Sequence, residues 1–405
     1  MRSIISVCLI VVLAMPAVLE AGFTWSQAPR APWSGRGDHT VTLFHDSLWL
    51  IGGYDGGLSS QIWCSNNARN WFLVTDSAPW GGIVGQTVIC HNNALWLIGG
   101  LIDTSVGGDT GISSTIWRST NGRHWVKVTD SAPFGKLWLH AAASHQGFLW
   151  VLGGSRWKGG GHTINEVWRS PDGEHWTLVC HAPWGRRRDH TITPFHDSLW
   201  LFGGDVADPD SIFDWCSGDG ATWLGALPRP FWAYDDHACI EFRQKLWVIG
   251  GWAAGPTRAV WCSENGRNWT FCDSAPWPAR SGHAGAVLRD TLWIFGGYGE
   301  GDTLLLNDIW YLVETSGGAD EEKLTSKSIS QIAPTIIRSS QLSQFFQQLI
   351  KQPSVLLNAS GQKIAVKPGA NNIRHLKSGI YFLNADLRGQ GRRQTQNNRK
   401  IVLIK

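Results

Sequence analysis

The stretch Leu48-Trp49-Leu50-Ile51-Gly52-Gly53 decides the fold, because its pattern returns five more times in the 405-residue chain. The Trp recurs at Trp96, Trp150, Trp200, Trp247 and Trp293, at spacings of 47, 54, 50, 47 and 46 residues. Thirteen residues before the first glycine of each pair stands a polar residue: His39, Gln86, His140, His190, His237 and His283. A second Trp follows each pair, at Trp63, Trp117, Trp168, Trp215, Trp261 and Trp310. A third follows in five repeats, at Trp71, Trp125, Trp176, Trp223 and Trp269. A fixed period with paired glycines and aromatic anchors marks a repeat architecture, each unit one supersecondary element stacked on the next.

Within a repeat, residues 39–45 and 48–53 are β-rich runs separated by a polar hairpin signal at Asp46-Ser47. Asn121-Gly122, Asp172-Gly173, Asp219-Gly220 and Asn265-Gly266 suit a tight turn that needs positive φ. Each repeat therefore reads as four antiparallel strands, A to D, with the length of a propeller blade. The sixth repeat lacks a third Trp, and the missing string stands at the front, with Trp25 and Trp33 in residues 23–33. The expectation is an all-β, six-bladed propeller over residues 22–313, closed by the N-terminal strand as strand D of the last blade.

Residues 23–313 resemble the kelch repeat in the paired glycines after strand B, the strand-C Trp and the strand-D Trp. The departure is at strand C, where Trp-Cys-Ser or Trp-Arg-Ser replaces the family's usual segment.

Composition agrees with a packed β protein. The chain holds 26 Trp and 47 Gly, is 43% hydrophobic and only 17% charged, which excludes a disordered chain. At net +3 no basic face dominates, which argues against a nucleic-acid partner. Met1-Arg2, an apolar run to Val18 and small residues near Ala21 read as a signal peptide over residues 1–21. No later segment is long and apolar enough to span a bilayer, so a secreted, extracellular or cell-surface protein is expected. Seven cysteines follow the leader, with no CxxC; they read as small buried hydrophobes, not as disulfides or metal ligands.

Residues 314–333 are polar and read as a linker. Charge shifts there: residues 22–318 carry 20 basic and 27 acidic side chains, residues 319–405 carry 14 and 4. Three strings follow, at residues 358–364, 376–382 and 400–405. They resemble the C-terminal sorting domain of type IX secretion cargo. That resemblance implies a small β-sandwich-like domain over residues 334–405 and the type IX machinery as a partner.

Residues repeated in every blade build the blade, so the His and Trp series are expected to be structural. No catalytic set, cofactor or metal site is assigned. Binding is expected where the repeat breaks, in the B–C and D–A loops on one face. The candidate ligand-binding residues are Arg36, Asp38, Trp138, Arg187, Asp189, Trp232, Tyr234 and Asp236, with Trp157, Lys158, Arg186, Arg188 and Asp235 nearby. Arg, Asp and aromatic rings together suit a glycan or a protein ligand. Arg187 is expected on an exposed rim, so that its loss would remove binding and leave the melting point unchanged.

The alternative is a carbohydrate-active enzyme. Residues 170–176 resemble a sialidase box one residue short, and sialic-acid epimerases of kelch type are likewise six-bladed and exported. Acid–base residues would then lie among Asp38, Asp189, Asp235 and Asp236, two of them about 5–9 Å apart beside an Arg. A copper oxidase resembling galactose oxidase is disfavoured, because no Tyr-Cys arrangement fits.

Overall fold

The computed structural model describes residues 22–102, 111–156, 162–206, 214–225, 235–300 and 304–315, and five strands beyond them. Residues 1–21, expected to be a signal peptide, residues 316–334, Trp157, Lys158, Trp232 and Tyr234 lie outside the described residues. The chain divides into two compact units, Met1–Gly317 and Gly318–Lys405.

The first unit is a six-bladed β-propeller, and no helix occurs among the described residues. Blade one is Thr40–Phe44, Ser47–Ile51, Ile62–Ser65 and Phe72–Thr75, strands A to D in order. Blades two to five repeat it, starting at Thr87, Ala141, Thr191 and Ala238. Blade six is Ala284–Leu288, Thr291–Tyr298 and Leu305–Thr315, and its fourth strand is Gly22–Gln27. Trp25 sits opposite Leu312, and Gln27 opposite Trp310.

The A–B hairpin turns at His45-Asp46, one residue before the expected Asp46-Ser47, and Ser47 already opens strand B. Both turn residues have φ near +50°, as do Asn92-Asn93, His196-Asp197, Arg243-Gln244 and Arg289-Asp290. A two-residue turn with this geometry matches the right-handed twist of the flanking strands, so the blade accepts non-glycine residues there.

The Trp series form the core. The strand-B indoles of Trp49, Trp96, Trp150, Trp200 and Trp247 each donate to the carbonyl five residues earlier. The rings of Trp49, Trp96, Trp150 and Trp200 then lie against the turn glycine of the next blade, and the ring of Trp247 meets Phe23 edge-to-face. A Cβ added to Gly122, at φ +72°, would stand 2.3 Å from the ring of Trp49. The strand-D Trp meets an aromatic ring from the D–A connection edge-to-face: Trp33 on Trp71, Trp80 on Trp125, Phe134 on Trp176, Trp184 on Trp223. In blade six Trp277 meets Trp25 in the same way, with ring centroids 4.6 Å apart. Trp25 thus occupies the place that the strand-D Trp holds elsewhere.

The second unit contains one five-stranded sheet, ordered Thr335–Arg338, Asn398–Ile404, Gly379–Asn384, Ser354–Asn358 and Lys363–Val366. These five strands are the described part of the unit, and the expected sandwich-like packing lies outside the described residues. The sheet's first pair is parallel, which the long intervening segment permits.

Deleting residues 22–27 leaves the Leu305–Thr315 strand unpaired on one side and strips Trp277 of its partner. Thermal scans of the deletion variant are expected to lose the cooperative transition of the parent; an unchanged melt would contradict this role.

Candidate functional site

Among the described residues, five of the six blades are tied to the next at the start of strand A. The second glycine of the pair donates its N–H to a carbonyl in the next D–A connection: Gly53 to Ile83, Gly100 to Leu137, Gly154 to Arg187, Gly251 to Arg280 and Gly297 to Arg36, all at 2.8–2.9 Å. Gly53 has φ +98°, and a Cβ there would lie 2.7 Å from that of His39, so only glycine fits.

Two residues after each of these five acceptors the backbone turns left-handed, at Asp38, Gly85, Leu139, Asp189 and Gly282, and Asp236 does the same in blade five, with φ between +52° and +63°. These six are joined head to tail. Asp38 N–H donates to Gly282, Gly282 to Asp236, Asp236 to Asp189, Asp189 to Leu139 and Leu139 to Gly85, at 2.8–3.2 Å. One residue per blade, in a run of five bonds from Asp38 round to Gly85, traces the mouth of the central channel on the D–A face.

The residue after each glycine pair bridges to the residue before the ring position. These bridges are Gly37 with Tyr54, Val84 with Leu101, Trp138 with Ser155, Asp235 with Trp252 and Ser281 with Tyr298. In blade four Arg187–Arg188 pairs with Asp205–Val206. Each blade therefore contributes three backbone positions around the mouth, occupied by glycine at Gly37, Gly85 and Gly282.

Their identities split it in two. Blades two and three present the half-buried Leu139 and Trp138, whose ring lies beside Gly85, over a buried apolar cluster of Val84, Leu101 and Ile112. Blades four, five and one supply Asp189, Asp235, Asp236 and Asp38. Asp38 leans over Gly282, where a Cβ would sit 2.6 Å from its Oδ1, and accepts a 3.1 Å hydrogen bond from the Tyr298 hydroxyl. The Arg188 guanidinium donates to Asp205 at 2.8 and 3.1 Å and lies 3.5 Å from Asp189 Oδ2.

Crowding like charges in a recess disfavours ionisation. Burial pushes Asp38 and Asp235 up to about 6. Asp189 and Asp236 are raised well above the usual carboxylate range, by burial first and then by each other's neighbourhood of carboxylates, with Arg188 opposing. The cluster can hold protons near neutral pH while its outer side chains meet solvent, so it offers both hydrogen-bond donors and acceptors.

Of the expected residues, Asp38, Asp189 and Asp236 come together, and Trp138 stands in blade three, beside the blade that carries Asp189. Arg36 and Arg187 do not face it. They are 0% and 1% exposed, and the expected exposed rim position of Arg187 is corrected. Arg187 Nη1 donates to Gly203 O at 2.7 Å and Nε to Gly185 O at 3.2 Å; Arg36 Nη1 donates to Gly52 O and Ser59. Arg280, not singled out from the sequence, repeats this with Gly296 O and a bidentate pair to Asp308. These arginines brace the glycine pair from within the blade. Tyr298 was also missed; its signal was the position after the glycine pair, where the repeat changes identity in nearly every blade.

The His series is structural. All five are buried, and burial drives His39, His140 and His283 down to about 3. His140 Nε2 bonds Thr87 Oγ1 and His237 Nε2 bonds Thr191 Oγ1, each across a blade boundary. Gln86 does the equivalent through Ile51 O.

Two outcomes follow. Arg187→Ala leaves a buried carbonyl and cavity, and is expected to cost about 2–4 kcal/mol in urea unfolding. Asp236→Asn should behave oppositely. The folded protein holds the Asp236 proton more tightly than the unfolded chain does, so ionisation costs stability once pH rises above the unfolded value. The variant is expected to melt with the parent near pH 4 and above it from pH 7 to 8; a gap that shrinks with rising pH would overturn the assignment.

No family model matches this chain, and no curated protein matches it. Among solved structures it is similar to one titled "Structure of YjhT", at 13% identity and TM-score 0.57, over 70% of this chain and 96% of that one. At that identity the likeness establishes the propeller fold alone.

Proposed function

We propose that this protein is a carbohydrate-binding propeller, and that a sugar seats at the channel mouth between the Asp38–Asp189–Asp236 cluster and the Trp138 side. The observation that carries this reading is the division of the mouth into a protonatable carboxyl half and an apolar, aromatic half. A pyranose has the matching faces, with hydroxyls for the carboxyls and C–H groups for an indole. Carboxylates repel an anion, and Arg36, Arg187 and Arg280 are engaged inside the blades. A neutral or amino-bearing sugar is therefore favoured over a carboxylated one.

The kelch-type assignment, closure of the ring by Gly22–Gln27, export behind the leader and sorting by residues 334–405 belong to the same proposal. Support comes from the glycine-pair repeat, the Trp25 pairing and the terminal strings of the sequence. The expected setting is outside the cell or on its surface.

A second reading is catalysis on a carbohydrate. It draws on the raised Asp189 and Asp236 beside Arg188, which suit a general acid and base.

The test is a screen of the full chain against neutral, amino and acidic oligosaccharides, with product analysis of each hit. Neutral or amino sugars are expected to bind, and Asp189→Asn/Asp236→Asn to weaken binding at least about tenfold, the scale of one lost charge-assisted hydrogen bond. Equal binding by that variant would sink the site. Altered sugar in the product would move the reading to the enzyme.

A further inference from the structure

Blade five departs from the others at one pair of positions. The residue after the strand-C Trp is Cys64, Arg118, Arg169, Cys216, Cys262 and Tyr311 in blade order. On strand D a bulge follows opposite that Trp in blades one, two, three and five. Pairing skips from Leu73 to Thr75, from Lys127 to Thr129, from Leu178 to Cys180 and from Phe271 to Asp273. The skipped residues are Val74, Val128, Val179 and Cys272.

A bulge re-aims its extra side chain. Here it brings that side chain to the face of the strand-C residue, as Cys64 and Val74 show by packing against one apolar cluster. Among these four blades, only blade five has cysteine at both positions. The Cys262 and Cys272 sulfurs lie 2.6 Å apart. Non-bonded heavy atoms keep about 3.5–4.0 Å apart, and bonded sulfurs sit at about 2.05 Å. Cys272 is exposed, which corrects its reading as a buried hydrophobe, and Cys262 is half-buried. The strand that carries Cys272, Thr270–Ser274, is exposed along its whole length. Little but its ladder to Ala259–Ser263 holds it, and a cross-link there pins an outer edge.

We propose that Cys262 and Cys272 form a cross-strand disulfide that staples the outer strand of blade five. The oxidant is an external disulfide of low molecular weight. The Cys272 thiolate attacks one of its sulfurs and releases one thiol, leaving a mixed disulfide. The Cys262 thiolate attacks the Cys272 sulfur and releases the second thiol. Two protein thiols are oxidised to one disulfide, the external disulfide is reduced to two thiols, and these take up the two protons.

Trypsin makes the test direct. Cleavage after Arg258, Arg267 and Arg280 places Cys262 in residues 259–267 and Cys272 in residues 268–280, with no other cysteine in either peptide. The full chain is incubated with oxidised glutathione, blocked with iodoacetamide and digested without reduction. The expected product is the two peptides linked, lighter than their sum by two hydrogen atoms and separated by a reductant. Cys272→Ser is expected to abolish it and leave Cys262 alkylated, and reduction should lower the melting temperature of the parent alone. Alkylation of both cysteines after oxidation would overturn the proposal, as would linkage of either peptide to another cysteine. The peptide map of the unsubstituted chain decides the matter even where the variant fails to fold.

Discussion

The hydrogen bond from the second glycine of each pair to the next blade's D–A connection is the constraint on which the rest depends. It demands φ near +100° and an approach so close that no Cβ fits. Once made, it fixes where the following chain turns left-handed, and so sets the ring of six residues at the channel mouth. A repeat unit of this kind cannot bury its own faces. The indole of one blade finishes its packing on the turn glycine of the next, and the clasp keeps the two in register.

That arrangement separates what the blade needs from what the site uses. Arginines and histidines near the mouth belong to the frame: the guanidinia of Arg36, Arg187 and Arg280 reach back to glycine carbonyls, and the imidazoles of His140 and His237 bridge blades. The sites free to vary are the ring position, the residue before it and the residue after the glycine pair. Each is held by backbone bonds that leave its side chain unspecified. Asp38, Asp189 and Asp236 tolerate the left-handed backbone because a short polar side chain does so at little cost. The same geometry then presses their carboxyls together, so a backbone requirement becomes an electrostatic property.

Electrostatics and packing trade against each other at this mouth. Carboxyls that resist ionisation cost the fold stability at neutral pH, and this cost supports the proposed binding role of the mouth. The opposite half, with Leu139 and Trp138 over Gly85, carries no such cost and supplies apolar surface. A ligand spanning both halves would relieve the first and cover the second.

The sequence by itself determined the blade count, the four-strand unit, the partnership of Trp25 with the last blade and the face on which variation collects. All of these follow from periodicity and from residue types with narrow backbone preferences, which one chain displays in order. It also pointed to Asp38, Asp189 and Asp236, which stand where the repeat breaks. Only the tertiary structure decided which way each side chain faces. Arg187 and Asp189 are two residues apart in a loop of one appearance, yet one is sealed against Gly203 O and the other rims the channel. Likewise Cys262 and Cys272 read as unrelated until a bulge, one residue in a ladder, turned them to the same face. Direction in space depends on partners brought from distant parts of the chain, and linear spacing carries no record of them.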